Sequence, residues 1–512
     1  MSRCSRSNME NTVCFPQYLD NPVFPIISDV AQGLGVRAFV IGGYVRDCFL
    51  GRKSKDIDIV VEGSGCAFAR AVGKVVHSRV SVFENYGTAM LRYHGTEVEF
   101  VGARRESYSR DSRNPIVEDG TLQDDQLRRD FTINAMAFSL QKEDYGALVD
   151  PFGGIRDLDA GIIRTPMDPD RTFDDDPLRM LRAVRFATKL STFEKYFNIT
   201  PECLDSIRRN APRLQILSRE RIVEELNKIL VCDHPSMGFY LMERTGMLHY
   251  VLPELERLKG VQMLEGRAHK ENFAHTLQVV DNLAELEVEA ISQGLLHDYE
   301  PVENGFEEKL RTAPNVWLRW AGLLHDIGKP ASKRFDPASG WSFHGHETIG
   351  SRMVPKIFTA LKMPLNEKMK YVQKLVLLHL RPQALVTEEV TDSAVRRLMF
   401  EAGNDIDDLM LLCKADITSK NLHKVEVLKS NFDLVMGKIK EVEEKDAIRN
   451  WKNPISGDYI MDLYGLQPCR LLGEVKDIIK EAIMNSECGS SFEDADALLR
   501  RLMEERGYKP VK

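Results

Sequence analysis

Apolar positions change their rhythm once along this chain. Between residues 26 and 163 they gather in short runs, RAFVIGG, IDIVV, EVEFVG and ALVDP, set among brief helical stretches such as CAFARAVGKVV. That mixture predicts an α/β domain. After GGIRDLDAGIIRTP the strand signals stop. From Asp170 onward apolar residues recur at helical spacing, as in LRMLRAVRFATKL and RERIVEELNKIL, almost to the C-terminus. The expected architecture is an α/β head on a long all-α body. Boundaries fall at 1–25 for an N-terminal extension, 26–165 for the head, 166–255 for a helical neck, 256–425 for a second helical domain and 426–512 for a helical tail. No long Gly/Ser- or Pro-rich linker separates these parts, and no internal repeat is visible.

Composition adds limits. At roughly 100–200 residues per domain, 512 residues suggest about three to five domains. The longest apolar runs fall short of the ~18 residues that a membrane span needs, so no membrane association is expected. Nine cysteines are scattered without a CxxC pair, and no apolar leader core follows MSRCSRSNME, which predicts a reduced, cytoplasmic protein. The net charge of −8 argues against indiscriminate nucleic-acid binding. Residues 179–228 nevertheless hold 11 Lys and Arg against 6 Asp and Glu, a concentrated basic stretch suited to a phosphate backbone.

Candidate chemistry begins at IGGYVRDCFLGRKSKDIDIV. The alternation D-I-D-I places Asp56 and Asp58 on one face of a strand. Two carboxylates held so close repel, and a divalent cation relieves them; oxygen-only ligands suit magnesium, which can clamp the oxygens of a nucleotidyl transfer. Gly42 and Gly43 end an apolar strand and let backbone approach a triphosphate, and YVRD opens a helix whose N-terminus attracts anions. Together, GG-x-x-RD followed by DxD resembles the polymerase-β-like nucleotidyltransferase superfamily. The resemblance implies that Asp56 and Asp58 are catalytic metal ligands, that Gly43 and Arg46 meet the nucleotide, and that a later strand adds a third carboxylate. EVEFVG offers Glu97 and Glu99 on one face, with Glu99 preferred.

LRRDFTINAMAF and DPFGGIRDLDAGIIRT are similar to segments of tRNA nucleotidyltransferases, which implies triphosphate and ribose contacts from Arg129, Asp130 and Asn134. FDDDPLRMLRAVRFA resembles the EDxxRxxR element of the bacterial and eukaryotic class of CCA-adding enzymes and their poly(A) polymerase relatives, with Asp175 where the pattern usually has Glu. Its chemistry also stands alone. Adenine and cytosine share an amine donor beside a ring-nitrogen acceptor, so Asp176 accepting from the one and Arg179 donating to the other would take A and C and reject G and U. Spacing of three places the pair on one helix face, with Arg182 continuing the row. LSRERIVEELNKIL resembles the family's neck; Arg219 and Arg221 are the expected RNA contacts, and Glu224 and Glu225 are expected to be solvated.

In the C-terminal half, NFAHTLQVVDN, GLLHDIGKP, SFHGHETIG, LVLLHLRP and KADITSK resemble the HD phosphohydrolase superfamily. The resemblance implies that His275, His325, Asp326 and Asp416 bind a divalent transition metal, with His344 or His346 and His379 available for a second. The segment beyond 425 carries no catalytic set, and resemblance implies that it supports or grips tRNA. The whole implies template-independent CCA addition to tRNA 3′ ends from CTP and ATP, with phosphohydrolysis of RNA ends in the HD domain. Alternatives are a poly(A) polymerase, or an HD phosphohydrolase with a regulatory nucleotide-binding head.

Overall fold

The structure is a computed structural model that describes residues 13–54, 56–84, 87–109, 112–192, 194–269, 271–302, 305–387, 391–418, 422–446, 453–485 and 487–511. The chain divides into two compact units, Met1–Cys232 with Met237–Pro253, and Asp233–Ser236 with Glu254–Lys512.

In the first unit the run AFVI forms β1 (Ala38–Ile41), all of it buried. A strand covered on both faces has no polar side to show, so it reads as a continuous apolar run. The strands β2 (Asp56–Val61), β3 (Val80–Phe83), β4 (Thr88–Tyr93) and β5 (Thr96–Gly102) follow, then a hairpin of β6 (Arg104–Ser109) and β7 (Ser112–Asp119), then β8 (Ala137–Ser139) and β9 (Leu148–Val149). Seven of them make a mixed sheet, ordered β3-β4-β5-β2-β1-β8-β9, in which only the β2–β5 pair is parallel. Helix α1 (Val23–Leu34) packs on α3 (Gly65–Val75), which lies on β4 and β5, while α2 (Gly43–Phe49) leaves directly from β1. A short α4 (Leu122–Leu127) brings Leu122 to a cluster with Phe39, Ile41 and Val60. Phe15 and Tyr18 pack on Phe49 and Phe138, and Cys14 bridges to Ala147. The stretch before residue 26 is therefore partly built into the head, because two aromatic rings find apolar cover there.

Strands also continue past 163: β10 (Ile162–Ile163) pairs with β11 (Asn198–Ile199). The helical run from Asp170 is broken into α5 (Pro169–Asp175) and α6 (Leu178–Leu190), with α7 (Arg219–Leu230) packed on α6.

The second unit is helical but not all-α. Helix α8 (Asn272–Ser292) packs on α9 (Val316–Leu324); the short α10 (Lys329–Ser332) meets α11 (His346–Ala360), which packs on α12 (Glu367–Leu378), and α13 (Ile406–Asp416) returns to α8. Three hairpins interrupt them: β12 (Met263–Leu264) with β13 (Arg267–Ala268), β14 (His297–Val302) with β15 (Gly305–Leu310), and β16 (Arg334–Asp336) with β17 (Gly340–Ser342). Their strands are too short or too charged to carry an apolar alternation. Buried charges in this unit are paired, as burial requires: Arg319 Nε donates to Glu287 Oε2 at 2.6 Å, and Arg311 grips both oxygens of Asp408 at 2.8 and 2.9 Å. Beyond 425, the helices Gly457–Tyr464, Arg470–Met484 and Phe492–Glu505 share a core that includes Ile460, Val475 and Leu499. Among the described residues no helix is long and apolar enough to cross a membrane.

Candidate functional sites

The head's acidic face follows from strand parity. Ile57 and Ile59 enter the core, Asp56 and Asp58 take the other side, and the parallel register sets Asp56 beside Glu97 and Asp58 beside Glu99. The two glutamates have different surroundings: Glu97 pairs with Arg92 of β4, whereas the Glu99 carboxyl is pushed up by partial burial and then by the charge of Asp58. Asp58 is itself raised, by burial first and by Asp56, against the pull of Arg129. Gly42 holds φ +81°, and a Cβ there would come within 2.9 Å of Arg129 Nη1 and 3.6 Å of Asp58 Oδ2. A side chain would thus intrude where the β1–α2 turn meets the carboxylates.

From this turn a hydrogen-bonded run crosses to the neck. Arg46 Nη1 donates to Asn134 Oδ1 at 2.7 Å, Asn134 Nδ2 to Asp130 Oδ1 at 3.1 Å, and Arg182 Nε to Asp130 Oδ2 at 2.7 Å. Burial alone would raise the Asp130 carboxyl, but Arg182 and Asn134 outweigh it and hold it below the usual range. Arg46, Arg182 and Arg185 all lie over the ring of Phe186, at 5.2, 5.6 and 4.2 Å from its centroid. Arg129 is braced by Asp125, which accepts its Nε at 3.1 Å and that of Arg128 at 3.0 Å.

The neck departs from expectation in three ways. Asp176 and Arg179 do not share a helix: Asp176 is extended, at φ −138° and ψ 101°, because the following Pro177 disfavours helical backbone before it. Asp176 Oδ1 accepts the amide of Leu178 at 3.1 Å, and buried Arg179 donates Nη2 to the carbonyl of Arg128 at 2.7 Å. Arg219 and Arg221 are partly engaged within the fold, Arg219 Nη1 with the carbonyl of Tyr250 at 2.9 Å and Arg221 with Asp176 at 3.6 Å. Glu225 is buried, not solvated, and pairs with Arg185 at 2.5 Å, while Glu224 is exposed.

The HD centre collects its residues from five elements. His275 Nε2 lies 2.9 Å from Asp416 Oδ1, and His325 Nε2 lies 3.3 Å from Asp326 Oδ2. The other oxygen of Asp326 lies 3.2 Å from His346 Nε2 and 4.0 Å from His379 Nε2. Two groups therefore bring three candidate ligand atoms each within 4.8 Å, His275 with His325 and Asp416, and Asp326 with His346 and His379. Exposed His344 stays outside both, whereas His346 lies within the second. Among the described residues the head carboxylates form no such group of three.

Each histidine is oriented through its other ring nitrogen. The Nδ1 atoms of His325, His346 and His379 meet the carbonyls of Gly322, Phe343 and Val376 at 2.8, 2.8 and 2.7 Å, and that of His275 meets Thr418 Oγ1 at 2.9 Å. A carbonyl only accepts, so three rings carry a proton on Nδ1 and turn Nε2 inward. Burial, with His325 next, pushes His379 down to about 4, and burial also lowers His275. For His325 burial is outweighed by Asp326 and Asp416, which raise it, and Asp326 is held well below the usual carboxylate range by His325 against its burial. Gly328 lets α10 and α11 meet: a Cβ there would fall 2.1 Å from the carbonyl of His346.

Sequence reasoning missed Asp125, Phe186, Lys329, Gln383 and Thr418. Spacing could have found two, since Asp125 precedes Arg128 and Arg129 by three and four, and Lys329, which pairs with Asp326, follows it by three. Gln383, donating to Asp416 Oδ2 at 2.9 Å, and Thr418 arrive by tertiary packing and leave no local signal.

Residues 38–164 match the family described as Poly A polymerase head domain, 196–259 the probable RNA and SrmB-binding site of polymerase A, and 272–420 the HD domain. An A-adding tRNA nucleotidyltransferase of Deinococcus radiodurans is 30% identical over 477 residues, covering 91% of this chain and 96% of the relative. A multifunctional CCA protein of Verminephrobacter eiseniae is 33% identical over 339 residues, 65% of this chain and 71% of the relative. The fold is shared with a Thermotoga maritima CCA-adding enzyme solved with tRNA, at TM-score 0.58 and 21% identity over 96% of this chain and 100% of that one, and with a CCA-adding enzyme in an apo form, at 0.62 and 21% over 97% and 100%. By the length and identity of these matches, joined to a polymerase-β-like head and an HD domain in one chain, the protein belongs to the tRNA nucleotidyltransferase family.

Proposed function

We propose that the chain adds CCA to tRNA 3′ ends from CTP and ATP without a template. The observation that carries this is the run Arg46–Asn134–Asp130–Arg182, which ties the acidic face and its glycine turn to the helix bearing Arg179. Asp56 and Asp58, with Glu99 as third carboxylate, would hold magnesium, which when bound neutralises triphosphate charge and acidifies the attacking hydroxyl. The raised carboxyls of Asp58 and Glu99, each pushed up by burial and by an acidic neighbour, fit a cation that relieves them. The protein's own part is positional. Gly42 and Gly43 admit the triphosphate, Arg46 and Arg129 steady it, and Asp130 with Asn134 orients the ribose. Asp176 and Arg179 read the base edge once they exchange their present backbone partners. The basic neck carries the tRNA backbone through Arg219 and Arg221, and the parts 26–165, 166–255, 256–425 and 426–512 act as head, neck, HD domain and tRNA-supporting tail in a reduced cytoplasm. The test offers tRNA lacking its CCA end with labelled CTP, ATP, GTP or UTP and sizes the products. Ordered C, C, A addition is expected; long adenosine tails indicate a poly(A) polymerase. A second reading, addition of the final A alone, is favoured by the name of the Deinococcus relative and would give growth only on tRNA already ending in CC.

The HD centre, we infer, hydrolyses phosphoesters at RNA ends. His325 Nε2 is buried without a hydrogen-bond partner among the described residues, the state of a nitrogen kept for a metal. His275, His325 and Asp416, and Asp326 with His346 and His379, would hold divalent transition cations, which when bound supply a nucleophilic water near neutral pH. On a 2′,3′-cyclic phosphate, water oxygen joins phosphorus, one P–O bond to ribose breaks, and the released hydroxyl keeps a proton. A second hydrolysis releases phosphate and frees the 3′-hydroxyl that nucleotide addition requires. Metal analysis, with assays on cyclic-phosphate RNA before and after chelation, checks this reading.

A further inference from the structure

Beside the HD centre the hairpins β12–β13 and β16–β17 meet, with β13 against β17. A line of rings leads outward from a candidate ligand. The carbonyl of Phe343 fixes His346; the Phe343 ring lies 5.7 Å from that of His269, His269 lies 5.4 Å from Trp341, and Trp341 meets Phe335 edge-on at 5.0 Å. Cations ride on the same rings. Lys329, paired with Asp326, is 5.9 Å from the Phe343 centroid, and Lys333, hydrogen-bonded to His269 Nε2, is 4.7 Å from that of Trp341. From the neighbouring hairpin the carbonyl of exposed Arg267 accepts Trp341 Nε1 at 3.0 Å. Next to it Met263 and Leu264 stand 71% and 47% exposed.

The Arg267 guanidinium closes the outer end, its Nη1 donating to the carbonyl of Ala338 at 2.9 Å. Rings bearing ammonium groups, with a guanidinium at the end of the line, suit single-stranded nucleic acid, whose bases stack on the rings while phosphates meet the cations. A free nucleotide has no second base or phosphate to use the outer half of such a line. We propose that this track, from Lys329 through Lys333 and Trp341 to Arg267, grips the last nucleotides of a single-stranded RNA 3′ end and delivers its terminal phosphate to the HD centre. The delivery rests on the hydrolytic reading above; the grip does not. The occupant is RNA because the track begins at a candidate phosphohydrolase centre and carries cations along its length.

The test uses the full-length protein and a six-nucleotide RNA that ends in a 2′,3′-cyclic phosphate and carries a photoreactive 4-thiouridine next to the end. Cross-links are expected in residues 261–269 and 333–343. They should persist in Asp58→Ala and Trp341→Phe, and should fall at least about tenfold in Trp341→Ala and in Lys333→Ala, the scale of one lost stacking contact. In hydrolysis, Trp341→Ala should raise KM for the oligonucleotide about tenfold and leave KM for 2′,3′-cyclic AMP unchanged. Cross-links confined to other segments, or equal loss on both substrates, would overturn the track. Should the wild type hydrolyse neither substrate, the hydrolytic reading fails alone, and the cross-links still decide for or against the track.

Discussion

The two centres of this chain hold their carboxylates in opposite ways. In the head, Asp56 lies open on a strand, Asp58 is crowded and raised, and among the described residues they join no group of three candidate ligand atoms within 4.8 Å. In the HD unit, Asp326 and four histidines are buried and pre-aimed, each ring fixed from behind. An oxygen-only site lacking donors is completed by the phosphates of its substrate, as suits an ion that keeps waters and binds with nucleotide. A nitrogen-and-oxygen site already assembled can retain its ion between turnovers.

The comparison breaks if the sites fail to behave independently. Asp58→Ala should lower nucleotide addition by roughly 10³-fold or more, the scale of losing a charge stabiliser, with unchanged metal content in the HD unit; elemental analysis beside a primer-extension assay reads both. Asp326→Ala should strip metal from both halves of the HD centre, since its two oxygens face different histidine pairs, and should leave addition intact. Metal retained at wild-type stoichiometry would show that the halves do not share this residue. Arg182→Ala should cut kcat/KM for addition about 10–100-fold through misplacement, because buried Asp130 then loses its cationic partner and holds Asn134, and through it Arg46, less firmly; Arg182→Lys should recover part of it. Thr418→Val frees the ring of His275 and should weaken metal affinity about tenfold, measurable by competition with a chelating dye. The smallest effect is a titration. Asp58→Asn removes the second cause of the raised Glu99 carboxyl, so Glu99 should ionise at lower pH, yet stay above the ordinary carboxylate value because burial remains. Carboxyl-labelled NMR follows it directly.

Legibility in the sequence followed how local each determinant is. Strand parity in DIDIVV was readable because it needs only neighbours, and the same parity put Glu97 and Glu99 on one face without choosing between them. Their surroundings differ only across the sheet, where Arg92 pairs with Glu97. The His and Asp order of the HD segment was readable, but not that Glu225 is buried, since its charge gives no hint of Arg185 forty residues earlier. The hairpins of the second unit escaped for a related reason: strands of two or three residues cannot show a period, and the six-residue strands HDYEPV and GFEEKL carry too many charges to show an apolar one. The break at Asp176 was readable from Pro177 and was overlooked in favour of the three-residue spacing.

His325, His346 and His379 each set their ring against the carbonyl three residues earlier in the chain, within one turn of local backbone. Such a contact needs no distant partner, so it can form as each helix end forms, before the helices meet. The orientation of each ring is thus set early, segment by segment. When the chain finally collapses around Asp326, the rings arrive with Nε2 already turned toward the centre, and assembly requires no ring to flip inside a closed, apolar interior.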